Sequence, residues 1–304
     1  MQNPLTPAMS SAIPHDPSHR IASKVRRQQD GVTLIELMVG IAIGLLVIAV
    51  AMGALMASRG ITSTVSDATS MQRQAAYAFR VMGQQIKQAG SLELSLDPNI
   101  AGFSASSSNA AMTPVAFDPP DPTGARPAFD RLASTVTGAD SPVSFTVGYQ
   151  NYVEMTTGSA TAPTSLLRDC LGQNPAIGSG GSLATTPVIS SQFQRNTTTN
   201  ELTCIGSGAA GAQAIIGNVT DFQVRYITQA PNTTTMQYQS SASAIGDWSS
   251  VYAVDVCIEL TGSEITTTDS SATYKNCSGT STAYGNRLKM VFHNVFQIRS
   301  QSRI

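Results

Sequence analysis

The chain has 304 residues, 12% of them charged, and a formal net charge of −1. That length accommodates a membrane segment plus one globular domain of about 200 residues, and the sparse charge with abundant Ser, Thr, Ala and Gly suits a secreted, assembly-prone protein better than a cytosolic enzyme. Residues 1–31 carry +2 and the remainder −3, so there is no domain-wide basic field for nucleic acid, only a local patch at Arg287, Lys289, Arg299 and Arg303.

The first element is apolar. Leu37–Ala57 is 21 residues without a charge, and at 1.5 Å per residue it reaches about 30 Å, the thickness of a hydrocarbon core. Lys24, Arg26 and Arg27 precede it and Arg59 follows alone, which puts the N-terminus in the cytoplasm and the large domain across the membrane. A secretory signal has a shorter apolar core with its cleavage site after it; here the processing signal lies before it. Glu36 stands at the apolar edge, where a carboxylate costs a few kcal/mol and must be presumed functional.

Gly31-Val32-Thr33-Leu34-Ile35-Glu36-Leu37, after a basic leader and before a long apolar helix, resembles the prepilin signature of type IV pilins and type II secretion pseudopilins. The resemblance implies that a prepilin peptidase cuts between Gly31 and Val32 and methylates the new amine of Val32, which stands where the family usually has Phe. Glycine before the scissile bond leaves the backbone open to a protease cleft. The leader is long, and Met9 is a second candidate start. The resemblance further implies that Glu36 pairs with the N-terminal amine of a neighbouring subunit, a contact worth roughly 4 kcal/mol at about 4 Å and an effective dielectric near 20, before desolvation. Its alternative role is to complement the dipole of its own helix. Gly40 and Gly44 form a GxxxG pattern that allows close helix packing.

Beyond Arg59 the helical spacing continues through Ile61, Val65, Ala68, Ala75, Phe79, Met82, Ile86 and Ala89, with Gln72 interrupting the stripe and Gly90 as the C-cap. The expected organisation is a cleaved leader over 1–31, a helix over 32–90 reaching about 80 Å with its transmembrane segment at 37–57, and a β-rich head over 91–304. Residues 91–143 and roughly 155–210 read as loose connections, rich in Pro, Ser, Asp, Gly and Thr. Strand alternation marks 144–149, the segment holding Phe222, Val224 and Tyr226, and "SVYAVDVCIEL", in which Tyr252, Val254, Val256, Ile258 and Leu260 share a face. "RLKMVFHNVFQIR" alternates and then shifts phase near His293 and Asn294, which predicts a bulge. These elements predict an α+β chain of the type IV pilin fold, with the second half of the long helix packed on an antiparallel sheet.

Cys170, Cys204, Cys257 and Cys277 are spaced by 34, 53 and 20 residues, which fits no metal pattern. An even count in an exported domain reads as two disulfides with three possible connectivities; Cys170–Cys204 with Cys257–Cys277 is preferred because each closes a local loop.

Catalytic signals are weak. His15 and His19 belong to the leader, leaving His293 on a predicted strand without a Gly-x-Ser-x-Gly. "GSGAAG" at 206–211 has no helix after it and reads as a flexible turn. Asp118 and Asp121 lack a calcium-loop ladder, Trp248 reads as core, and the C-terminal arginines read as a solvated strand face. No enzymatic activity, metal or cofactor is expected.

The order "GNVTDFQVRYI", Trp248, "VYAVDVCIEL" and "RLKMVFHNVFQIRS" is similar to the PilW-type minor pilins, whose secretion-system relatives are the J-type pseudopilins. The resemblance implies a low-abundance subunit at a pilus tip that primes assembly. Its implied partners are other minor pilins, the major pilin, the prepilin peptidase, the bacterial inner membrane and, in some systems, a large adhesin, with no nucleic acid. The alternative within the resemblance is a J-type pseudopilin of type II secretion.

Overall fold

The computed structural model describes residues 31–92, 94–95, 116–117, 129–152, 165–174, 188–208, 211–229, 235–266 and 271–301. The chain divides into two units, Met1–Leu55 and Met56–Ile304. Helix α1, Leu34–Gln88, contributes to both.

In the first unit α1 starts at Thr33, whose carbonyl accepts the Leu37 N–H (3.1 Å) and whose hydroxyl accepts the Glu36 N–H (3.3 Å). That is the N-cap arrangement: the hydroxyl satisfies one donor the first helical turn leaves orphaned, and the carbonyl accepts the first bond of the helical ladder. The residues that follow are exposed on every side.

In the second unit α1 buries Met71, Ala75, Ala78, Met82 and Ile86, at the three- and four-residue spacing of one helix face. The predicted stripe holds at Ala75, Met82, Ile86 and Ala89, all buried, and fails toward its start. Ile61 and Val65 are 68% and 59% exposed, Gln72 lies on the solvent side, and Asp67 is buried in their stead. Apolar spacing alone misplaced that first stretch because a carboxylate with its own hydrogen-bond partners fills one of its positions. Gly90, at φ +70°, ends the helix: its N–H donates to the Gly148 carbonyl at 2.8 Å, and a Cβ there would strike the Ser300 and Thr135 hydroxyls.

Two antiparallel sheets, where one was predicted, form the rest of this unit. The first has five strands in chain order: β3 (Val136–Asp140), β4 (Val143–Gln150), β5 (Val188–Asn196), β6 (Glu201–Gly206) and β7 (Gln213–Ile216). The second runs β13 (Arg287–Gln297), β10 (Val251–Ile265), β8 (Val219–Gln229), β9 (Met236–Gln239). Two short pairs complete the set, β1 (Leu94–Ser95) with β2 (Ala116–Phe117) and β11 (Thr273–Lys275) with β12 (Ser281–Ala283).

The two predicted loose regions hold regular structure. Helix α2 (Arg131–Ser134), capped by Asp130, and β3 fall within 91–143; β5 and β6 fall within 155–210. β5 escaped detection because its outward positions include Ser190, Gln192 and Gln194 and its inward set holds Ser191 between Ile189 and Phe193, all three fully buried. The β5–β6 turn is built by Asn196, whose side chain accepts the N–H groups of Thr198 and Thr199, and by Asn200 at φ 54°, a conformation that asparagine tolerates.

The sheets meet through aromatic stacking: Phe145 lies 5.1 Å from Phe193 and 6.4 Å from Phe222. The Tyr226 hydroxyl crosses to donate to the Ser144 carbonyl at 3.2 Å, and a Cβ at Gly138 would collide with that hydroxyl. Trp248 is half-buried and edge-on to Tyr226, 5.1 Å between centroids. On the second sheet, Phe79 of α1 meets Phe296 of β13 at 6.1 Å, and Gly83 leaves room for that ring.

No bulge occurs at His293 and Asn294. The β10–β13 register runs unbroken from Ala253↔Gln297 to Thr261↔Lys289, and the irregularity comes after it, between Thr261 and Ile265. Leu288, Met290, Phe292 and Phe296 keep one parity throughout and pack on the core; Asn294 merely puts a polar residue at one position of that parity.

Candidate functional site

The prepilin-like residues lie together at the start of α1. Gly31 has open space where a side chain would stand, Val32 is 70% exposed, and both precede the first helical residue. Thr33 to Glu36 follow the T-x-x-E pattern of a capping box, a signal legible in the sequence that identifies Thr33 as the residue fixing the helix start. Among the described residues no hydrogen bond or ion pair engages the Glu36 carboxylate. Around and beyond it, Leu34, Ile35, Leu37, Met38, Ile41, Leu45, Ile48 and Met52 are all more than half exposed. This helix is long and apolar enough to cross a membrane by length and composition. Gly40 and Gly44 have nothing near them.

The other candidate residues are dispersed over the second unit. Cys170 pairs with Cys204 and Cys257 with Cys277. The first disulfide ties the segment 165–174 to β6; the second ties the β11–β12 hairpin to β10. His293 is on edge strand β13, 3.8 Å from Asp255. Asp118, Asp121, His15 and His19 lie outside the described residues. Gly206 and Gly208 of the GxGxxG pattern fit tightly rather than forming a flexible turn: side chains there would strike Asp169 and Gln173, and the Gly208 N–H donates to Asp169 Oδ2 at 3.1 Å. The next element is strand β7, so no helix N-terminus faces the glycines. Among the described residues no group of three His, Cys, Asp or Glu side chains is placed to hold a metal.

Sequence reasoning passed over the acids on the outer face of β10. Asp255 pairs with Arg225 at 2.8 Å. Glu259 accepts the hydroxyls of Tyr274 (2.8 Å) and Thr220 (2.9 Å) and lies 3.7 Å from Lys289. Burial and then that hydrogen bond to Glu259 push the Tyr274 phenol above its ordinary pKa. This network satisfies buried charge and anchors the β11–β12 hairpin; its signal in the sequence is two acids alternating with apolar residues in "VDVCIEL".

Residues 26–52 match the prokaryotic N-terminal methylation motif, and residues 184–300 match the family Type IV Pilus-assembly protein W. No curated protein sequence matches the chain. A type IV-like pilin, TTHA1219 from Thermus thermophilus, is similar in structure at 11% identity and a TM-score of 0.37, over 77% of this chain and 97% of that one. The two sequence matches, at the processing segment and in the head, support a type IV pilin family for the chain. Within that family its head is PilW-like, which supports a role in type IV pilus assembly.

Proposed function

We propose that the chain is a minor pilin that primes pilus assembly from the filament tip, and that Glu36 directs its docking. The peptidase removes residues 1–31 and methylates the amine of Val32. The subunit waits in the inner membrane with its N-terminus cytoplasmic and its head periplasmic. On leaving the bilayer, Glu36 accepts the terminal amine of an adjacent subunit.

The observation that carries this reading is a carboxylate without a partner among the described residues, set at the edge of a wholly exposed apolar helix surface. An acid in hydrocarbon costs about 3 kcal/mol, and an ion pair at about 4 Å recovers roughly that much before desolvation. Thr33 already completes the helix start through its own hydroxyl and carbonyl, leaving the carboxylate for another subunit.

The test is a Glu36→Ala chain expressed at the native level. The expected result is a subunit that is processed and membrane-inserted but absent from filaments, with reduced piliation. Normal incorporation overturns the docking role. Intact piliation with loss of exported enzymes in a deletion strain overturns the pilus assignment in favour of a secretion pseudopilin.

A further inference from the structure

Between α1 and the free edge of β7 lies a groove of about 900 Å³. From β7 it is lined by Gln213, Ala214 and Ile215. Consecutive strand residues point to opposite faces, so a groove touching all three runs along the edge of the strand rather than over a face. β7 pairs with β6 on its other side, and among the described residues no strand pairs with this edge. The remaining walls are cationic, with Arg80 and Lys87 from α1 and Arg168 from the segment 165–174. Arg168 spends one amino group on the carbonyls of Ser165 and Leu167, and no acid pairs with any of the three among the described residues. The acid in the lining, Asp169, is already engaged by the N–H groups of Leu171, Gln173 and Gly208.

The wall is also rigidly held. Gln85 of α1 accepts the Ser191 hydroxyl (3.0 Å) and donates to the Arg168 carbonyl (3.4 Å), which also accepts the Tyr149 hydroxyl. The Cys170 N–H donates to Ser191 (3.0 Å), and Cys170 is disulfide-bonded to β6. Along α1 beyond residue 56 the charged residues are Arg59, Arg73, Arg80, Lys87 and Asp67. Asp67 is turned inward, so the exposed charge of that stretch is wholly positive.

We infer that this groove is a docking surface for an extended acidic segment of a partner protein, which adds to the edge of β7 as a strand and sets its carboxylates against Arg80, Lys87 and Arg168. An unpaired edge supplies main-chain hydrogen bonds and the cations supply selectivity. A nucleic acid would meet the charge but make no use of the strand edge. The inference does not rest on the filament reading, because edge and cations are present whatever assembly the chain serves.

The experiment uses the full chain in detergent micelles and fluorescence anisotropy with a labelled peptide, Val-Glu-Val-Glu-Val-Glu. Controls are the Val-Lys counterpart, a Val-Glu peptide N-methylated at alternate residues, and oligothymidylate. The expected result is saturable binding of the acidic peptide, weakened by salt and by about tenfold in Arg80→Glu/Lys87→Glu, with none of the Val-Lys or N-methylated peptides. The inference is overturned by absence of binding, by indifference to the charge reversal, by equal binding of either peptide control, or by tighter binding of oligothymidylate.

Discussion

The carboxylate of Asp67 in α1 accepts the backbone N–H of Glu264 at 2.9 Å, across 197 residues of sequence. The same carboxylate accepts the Ser263 hydroxyl at 2.8 Å, and Gly262 is where the β10 backbone comes close enough to allow it. Arg287 of β13 completes the junction by donating to the Gly262 and Ser263 carbonyls. Burial alone would raise the Asp67 pKa, but the hydrogen bonds from Glu264 and Ser263 outweigh it and hold the group below its ordinary value.

Asp67→Ala removes the charged acceptor of both donors. We expect a loss of about 1–3 kcal/mol, read by denaturant titration of the detergent-solubilised chain with fluorescence from Trp248, its single tryptophan. Asp67→Asn retains one acceptor and should lose less. A wild-type midpoint for Asp67→Ala would show that the junction contributes nothing.

Phe193 is fully buried and stacked on Phe145. Phe193→Ala should cost about 3–5 kcal/mol through lost burial and the cavity left behind. Gly138→Val forces the Tyr226 hydroxyl away from Ser144 and should also destabilise. A thermal melt by circular dichroism reads both.

Asp140 accepts the Ser241 hydroxyl and the N–H groups of Ser243 and Ala242, which lower its pKa to about 2 from 3.8. Because the folded value is depressed, the unfolded chain takes up the proton first. The contribution is therefore fully present above the unfolded value of 3.8 and declines as pH falls through the folded value of about 2. Asp140→Ala should flatten the acid limb of the stability curve in that window; an unchanged limb would contradict the assignment.

The Cys257–Cys277 bond closes a span of 20 residues. Replacing both with Ser should cost roughly 2–4 kcal/mol. It should also raise amide exchange in the β11–β12 hairpin, which otherwise holds to β10 through Tyr274 and Glu259. Exchange unchanged in that hairpin would show that the side-chain network alone fixes it.

The helix, its apolar first half and the strand residues of β8, β10 and β13 were legible because their periodicity is local. The buried face of α1 was legible from Ala75 to Ala89 but not at its start, since what draws Asp67 inward lies at Ser263 and Glu264, and Ile61 and Val65 resemble core positions only when the helix is read by itself. β5 was hidden by Ser190, Gln192 and Gln194 on its outward side and by Ser191 within its inward set. Asn294 imitated a bulge because one polar residue in an alternating run looks like a phase change until the partner strand supplies the register. At the N-terminal site, Gly31, Val32 and Glu36 stood out by motif, and the capping role of Thr33 was present in the same letters. The cationic groove was not legible, because Arg168 and β7 reach α1 only through the fold.

N-terminal sequencing with mass spectrometry of the protein recovered from intact cells tests most directly that the chain is a processed filament subunit docked through Glu36. A chain beginning at N-methylated Val32 is the predicted result. A chain that still carries residues 1–31 would keep the Val32 nitrogen in a peptide bond, with no amine at the helix start for a neighbouring carboxylate to accept, and would contradict the account.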